Sequence, residues 1–174
     1  LQPRPPYLLN GERVRPFTPA PRIGEHTGKI EAHSPAGASV KNGQRELPLQ
    51  GLRVLDITTW WAGPIATHLF ALLGADVIHV ESVKYLDGAR TVVVAPSGDN
   101  WWEQGHIYQS VNSNKRGITL DFTDEQGFAL LKQLIAQSDI VVENFAPRVF
   151  EGIGLDRDAI RALNPTAVFA RMPA

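Results

Sequence analysis

Residues 52–81 read LRVLDITTWWAGPIATHLFALLGADVIHVE, and the spacing of their apolar residues changes twice. Leu52-Arg-Val-Leu-Asp-Ile57 is an apolar run of strand length, closed by Thr58 and Thr59. Pro64 then suits the first turn of a helix, Ile65, Leu69, Leu72 and Leu73 recur at helical spacing, and Gly74 ends the run. Asp76-Val-Ile-His-Val-Glu81 is a second strand. A strand, a helix and a strand of these lengths predict a right-handed parallel crossover.

The pattern continues outward. Residues 82–113 show no clear apolar period and hold Pro96-Ser-Gly-Asp-Asn100 and the Trp101-Trp102 pair, which predicts a long loop excursion. Gly117 to Phe122 resumes strand character, and Thr123 with Gln126 three residues later reads as a capping box for a helix over 124–137. Asp139 to Phe145 is the next buried strand, followed by short helices over 147–152 and 156–163 and a strand at 166–172. Alternation of helices with nearly all-apolar strands predicts an α/β, Rossmann-like parallel sheet with helices on both faces.

Residues 1–48 differ in composition. They hold eight of the thirteen prolines and seven Lys/Arg against four Asp/Glu, whereas the remainder holds ten against fourteen. Proline at this density interrupts helices and ladders, so an irregular segment is expected before the sheet. Within it, residues 34–47 have the small, polar composition of a linker. This divides the chain into 1–33, a linker, and 48–174.

Composition also excludes partners. A net charge of −1 offers no concentrated basic surface for nucleic acid or acidic membrane. The absence of cysteine removes disulfides and thiolate metal sites, and no apolar run approaches the roughly 20 residues that span a bilayer. These features are read as those of a soluble, cytoplasmic protein. The five histidines never fall at paired ligand spacing, so no metal is expected. His79, inside a strand, reads as a hydrogen-bonded core residue.

In a doubly wound sheet, ligands bind outside the carboxyl ends of the strands. The turns there lack G-x-G-x-x-G and a Walker lysine, which removes the standard dinucleotide and P-loop sites. Ala62-Gly-Pro64 places small residues at a helix start, as an anion site or a tight turn would need. Asn144-Phe145 would serve equally to contact a base or to close a strand with a core aromatic. Asn112-Ser-Asn-Lys-Arg116 is a basic turn suited either to phosphate or simply to water. Asp56, Asp121 and Glu143 stand near strand ends, where a carboxylate either catalyses or anchors a loop.

Taken together, Leu49 to Ile57, Ala62-Gly-Pro64, Leu73-Gly-Ala-Asp-Val-Ile78 with Glu81, Asn112 to Arg116, Leu120-Asp121, Asp139 to Phe145 and Leu163-Asn-Pro165 resemble the N-terminal part of a class III CoA-transferase. That family includes formyl-CoA and carnitine CoA-transferases and α-methylacyl-CoA racemases. Pro6 to Gly11 and Pro19 to Thr27 are similar to the C-terminal tail of the same enzymes, which suggests the junction of a tandem-fused protein. An unrelated N-terminal extension is the alternative.

The resemblance implies acyl-CoA and a carboxylic-acid acceptor as substrates and an aspartate nucleophile that forms covalent intermediates. That aspartate lies downstream of the position matching Met172, so no catalytic residue is expected here. An incomplete domain and an inactive isolated chain follow. Trp60, Trp61, Ala62, Leu120, Asn144, Phe145 and Ala146 match residues that line CoA. Ser82, Thr123 and Gly152 stand where some members carry cations, so Arg90, Lys115, Arg116 and Arg148 are the candidates to replace them, with Arg90 and Arg148 foremost. The family forms interlinked homodimers. A racemase of the same fold and a degenerate, non-catalytic module remain as alternatives.

Overall fold

The computed structural model describes residues 8, 11–12, 16–35, 47–92 and 97–173. Strand β1 (Arg53–Ile57) leads through helix α1 (Ala62–Leu72) to β2 (Asp76–Glu81), as the opening stretch predicts. Short helices α2 (Gly88–Thr91) and α3 (His106–Asn112) precede β3 (Arg116–Thr119), and α4 (Glu125–Ala136) precedes β4 (Ile140–Glu143). Helices α5 (Val149–Gly152) and α6 (Arg157–Leu163) lead to β5 (Val168–Arg171). All strands are parallel in the order β3-β2-β1-β4-β5, so the chain reverses direction beside β1.

Alternate residues of the central strands face different layers. Leu55, Ile57, Ile78, Val80 and Val141 pack with Leu131 and Ile135 of α4 and Ile160 of α6. Val54, Val77 and Val142 pack with Ala71 of α1. Helices therefore cover both faces, which is why β1 has no exposed side and all five of its residues are buried. Further along β1 and β2 the α1 face turns polar, at Asp56, His79 and Glu81.

Three expectations are corrected. The excursion over 82–113 contains α2, α3 and a 3-10 turn at Trp101–Gln104. These elements are four to seven residues long, and their buried anchors include Arg90, Tyr108 and Asn112. They consequently carry no apolar period. The capping box fails because Asp124 caps α4, accepting from the N–H groups of Gln126 and Gly127, while Thr123 Oγ1 donates to Asp121. Strand β3 ends at Thr119, three residues before the expected limit.

The Pro-rich segment has no helix or strand over residues 16–35. It lies along the outer side of β3: His26 N–H donates to Gly117 O at 2.8 Å and Thr119 N–H donates to Thr27 Oγ1 at 2.9 Å. This covering satisfies an edge that would otherwise present unpaired backbone. The expected linker falls largely outside the described residues, as does most of 1–15. Among the described residues, no helix is long and apolar enough to cross a membrane.

Gly127 lets α4 approach the β3–α4 turn, since a Cβ there would lie 1.8 Å from the Asp121 carbonyl oxygen. Gly127→Ala would gain about 1 kcal/mol of helix propensity, yet the clash is with backbone that cannot rotate away. The variant is expected to be less stable by about 2 kcal/mol, overpacking exceeding propensity. Equal or higher stability in urea denaturation would contradict this close approach.

Candidate functional site

The carboxyl ends of β1, β2, β3 and β4 surround a cavity of about 380 Å³. Val80, Leu120, Phe122 and Phe145 supply apolar surface, Trp60, Tyr85 and Leu86 border it, and Ser82, Lys84, Asp121 and Thr123 bring polar groups. Trp60 and Tyr85 are largely exposed, at 56% and 81%. They stand as open aromatic faces on an otherwise buried scaffold, an arrangement suited to stacking a flat ring.

Local geometry holds Trp60 in place. Its backbone is left-handed, with φ of 68°, an unusual state for a bulky residue. Trp60 N–H donates to Asp87 Oδ1 at 2.9 Å, and the same oxygen accepts from Ala89 N–H to cap α2. One carboxylate thus joins the turn after β1 to the turn after β2. The indole packs directly on Gly88, where an added Cβ would sit 2.2 Å from Trp60 Cζ2.

Beneath these turns lies a buried charged network. Lys115 Nζ donates to Asp56 Oδ2 at 2.8 Å, to Thr67 Oγ1 at 2.8 Å, to Asn112 Oδ1 at 2.7 Å and to the Pro64 carbonyl at 3.0 Å. His79 Nδ1 is 3.0 Å from the same carboxylate oxygen. Burial pushes the Asp56 carboxyl up, but Lys115 and His79 outweigh it and hold the group well below its ordinary value. Burial also lowers the Lys115 ammonium, against the pull of Asp56.

A second group adjoins it. Arg90 donates twice to Glu81, at 2.7 Å each, and once to Glu103 at 2.8 Å, with its guanidinium 3.5 Å from the Tyr108 ring centre. Tyr108 O–H donates to Glu81 at 2.8 Å. Burial would raise Glu81, but Arg90 keeps it below its usual value.

The expected site residues separate accordingly. Trp60, Leu120 and Phe145 line the cavity, whereas Trp61, Ala62, Asn144, Ala146 and Arg148 do not. Asn144 bridges to Thr59, accepting from its N–H and donating to its carbonyl at 2.8 Å each, so it ties two strand ends together. Phe145 lines the cavity while stacking on Phe150 at 5.7 Å. Arg148 is exposed ahead of α5, with φ of 81°.

Three candidate cations need correction. Arg90 is fully buried and committed to Glu81, Glu103 and the Pro21 carbonyl, so it is a structural group rather than a phosphate ligand. The basic turn is not solvated either: Lys115 is buried on Asp56, and Arg116 pairs with Asp76 at the opposite end of the strands. Asp56, Asp121 and Glu143 all anchor structure, Glu143 by accepting from Phe145 N–H and Arg171 Nε.

Sequence reasoning missed Lys84 and Tyr85. Both lie in the turn after β2, where ligand-facing residues are expected, and Lys84 is the basic side chain that lines the cavity among the described residues.

Residues 49–174 match the family model described as CoA-transferase family III. The chain belongs to this family. Relatives include an acyl-CoA transferase of Fusarium pseudograminearum, 33% identical over 172 residues that cover 96% of this chain and 37% of that protein. A formyl-CoA:oxalate CoA-transferase of Streptomyces avermitilis is 39% identical over 130 residues, 70% of this chain and 29% of that one. Among solved structures, Rv3272 of Mycobacterium tuberculosis in its orthorhombic form superposes with a TM-score of 0.64 at 35% identity, covering 74% of this chain and 35% of the other. A CAIB/BAIF family protein of Brucella suis gives 0.63 at 33% identity over 73% of this chain and 33% of the other. The chain thus spans about a third of the length of the family III relatives it matches.

Two predictions concern the network of this family III domain. Lys115→Met leaves the Asp56 carboxylate buried without its main cation and is expected to cost about 3–5 kcal/mol, measured by urea denaturation. A loss below about 1 kcal/mol would mean that the ion pair does not hold the turns.

The second concerns pH. His68, 2.7 Å from Ser113 Oγ, is held down to about 4 by burial and by the nearby Lys115. In the unfolded chain it protonates near 6.5. Its unfolded form therefore binds the extra proton between these values, and stability declines as pH falls from about 6.5 to about 4. Wild type should lose more stability than His68→Gln across that window. Parallel curves would remove His68 as the cause.

Proposed function

We propose that this chain supplies a CoA-binding region of an enzyme that transfers CoA from an acyl-CoA thioester to a carboxylic acid. The observation that carries the reading is the aromatic cavity at the carboxyl ends of four parallel strands, in a chain of this family. An open Trp60 face suits the flat adenine ring of CoA, and the apolar surface of Leu120 and Phe145 suits the remainder of that ring. The relatives reported above include a formyl-CoA:oxalate CoA-transferase, which supports transfer in preference to racemisation.

The chemistry is assigned to an aspartate outside these residues, which attacks the thioester and carries the acyl and CoA groups in turn. The chain alone is accordingly expected to turn over no acyl-CoA. The complete protein is proposed to be a cytoplasmic homodimer. The segment ahead of residue 34 is read as the tail of a preceding repeat, on the similarity of Pro19 to Thr27 to the C-terminal tail of these enzymes.

The test is calorimetric titration of the chain with CoA. Trp60→Ala should weaken binding about tenfold, as loss of a stacked base does. Arg148→Ala should weaken it several-fold if that exposed guanidinium reaches a phosphate. Absence of CoA binding to the wild-type chain at millimolar concentration would reject the reading.

A further inference from the structure

The cavity contains an ion pair that the proposed reading leaves without a role. Four charged side chains line it: Glu81, Lys84, Asp87 and Asp121. Glu81 is committed to Arg90 and Tyr108, and Asp87 is almost wholly buried beneath Trp60. Lys84 and Asp121 remain as the pair open to solvent, with Nζ and Oδ2 2.5 Å apart and side-chain exposures of 59% and 30%.

The two partners are held differently. Asp121 Oδ1 accepts from Thr123 N–H at 3.0 Å and from Thr123 Oγ1 at 2.6 Å, bonds that do not involve Lys84. Apart from its contact with Asp121, Lys84 is held among the described residues through its backbone, whose N–H donates to Ser82 Oγ at 3.1 Å. Were the Lys84 ammonium to leave, Asp121 would stay hydrogen-bonded to Thr123. An exposed lysine–carboxylate pair contributes little, whereas a phosphate offers more charge and more acceptor oxygens.

Ser82 and Thr123 line the same cavity as Lys84. We propose that Lys84 is an exchangeable cation, held by Asp121 until a phosphate of the bound ligand takes it over. This rests on the reading of the cavity as a CoA site and adds a specificity determinant to it. Asp121 acts in it as a positioning residue that competes with the ligand and limits its affinity. The site then favours ligands in which a flat ring and a phosphate are joined over ligands with either alone.

Titrations of the chain with adenosine, adenosine 3′,5′-bisphosphate, inorganic phosphate and CoA separate the contributions. Lys84→Met should weaken bisphosphate and CoA about tenfold and leave adenosine unchanged. Lys84→Arg should retain most of the affinity, and Asp121→Asn, which keeps the acceptor for Thr123, should tighten bisphosphate about threefold. Equal bisphosphate affinity in wild type and Lys84→Met overturns the exchange while leaving the CoA reading intact. Inorganic phosphate binding as tightly as the bisphosphate overturns the joint recognition of ring and phosphate. No binding of CoA or bisphosphate to any form overturns the exchange together with the site.

Discussion

The bond between Lys115 and Asp56 is the constraint on which the site depends. Two ions removed from water are costly unless every lone pair and proton is used, and here they are used on structure. The Lys115 ammonium takes Asp56 from β1, Thr67 and the Pro64 carbonyl from α1, and Asn112 from α3. Asp56 also accepts from Thr58 and Thr67 and contacts His79 of β2. Four elements, β1, β2, α1 and α3, thereby meet at one oxygen-rich point below the turn after β1. An apolar core could fill this volume, but it would not fix the direction in which the β1–α1 turn leaves the sheet.

From that point rigidity passes upward. Gly63 sits against Thr58, where a Cβ would approach to 2.4 Å, so the first turn of α1 lies tightly on the end of β1. Trp60 between them has a left-handed backbone, and its N–H is secured by Asp87 from the neighbouring turn. Asn144 holds Thr59 from the other side. Three strand ends are thus fixed relative to one another before any ligand arrives, which reduces the ordering cost that binding would otherwise incur.

The parts of the fold legible in sequence are those whose side chains obey a period. Val54, Leu55 and Ile57 announce a strand because the layers on either side of the sheet are apolar, whereas α1 buries Thr67, His68, Ala71 and Leu72 and leaves Leu69 exposed, so its apolar spacing shows the helix without marking its buried face. Helix α3 left no such trace, since Tyr108 and Asn112 bury polar groups that meet Glu81 and Lys115. The same cause misdirected the choice of cations. A linear sequence displays Arg90 and Lys115 as charges near strand ends, but only three-dimensional pairing shows that Glu81 and Asp56 consume them. Lys84 was overlooked for the opposite reason: its significance comes from Asp121, 37 positions away and on another strand end.

This distribution of charge bears on how such a domain could hold an anionic ligand. Arg53, Arg90, Lys115, Arg116 and Arg171 are each paired with a carboxylate of the fold. Their charge is spent on stability and on fixing the turns, so little of it reaches the cavity as free potential. Affinity in the proposed site must then come mainly from aromatic and apolar contact, with the charged contribution confined to the mouth. An exposed pair at that mouth is screened within a Debye length of about 8 Å at physiological ionic strength. Buried stacking is not. The division between a structural interior charge and a replaceable rim charge therefore separates what holds the turns in place from what selects the ligand.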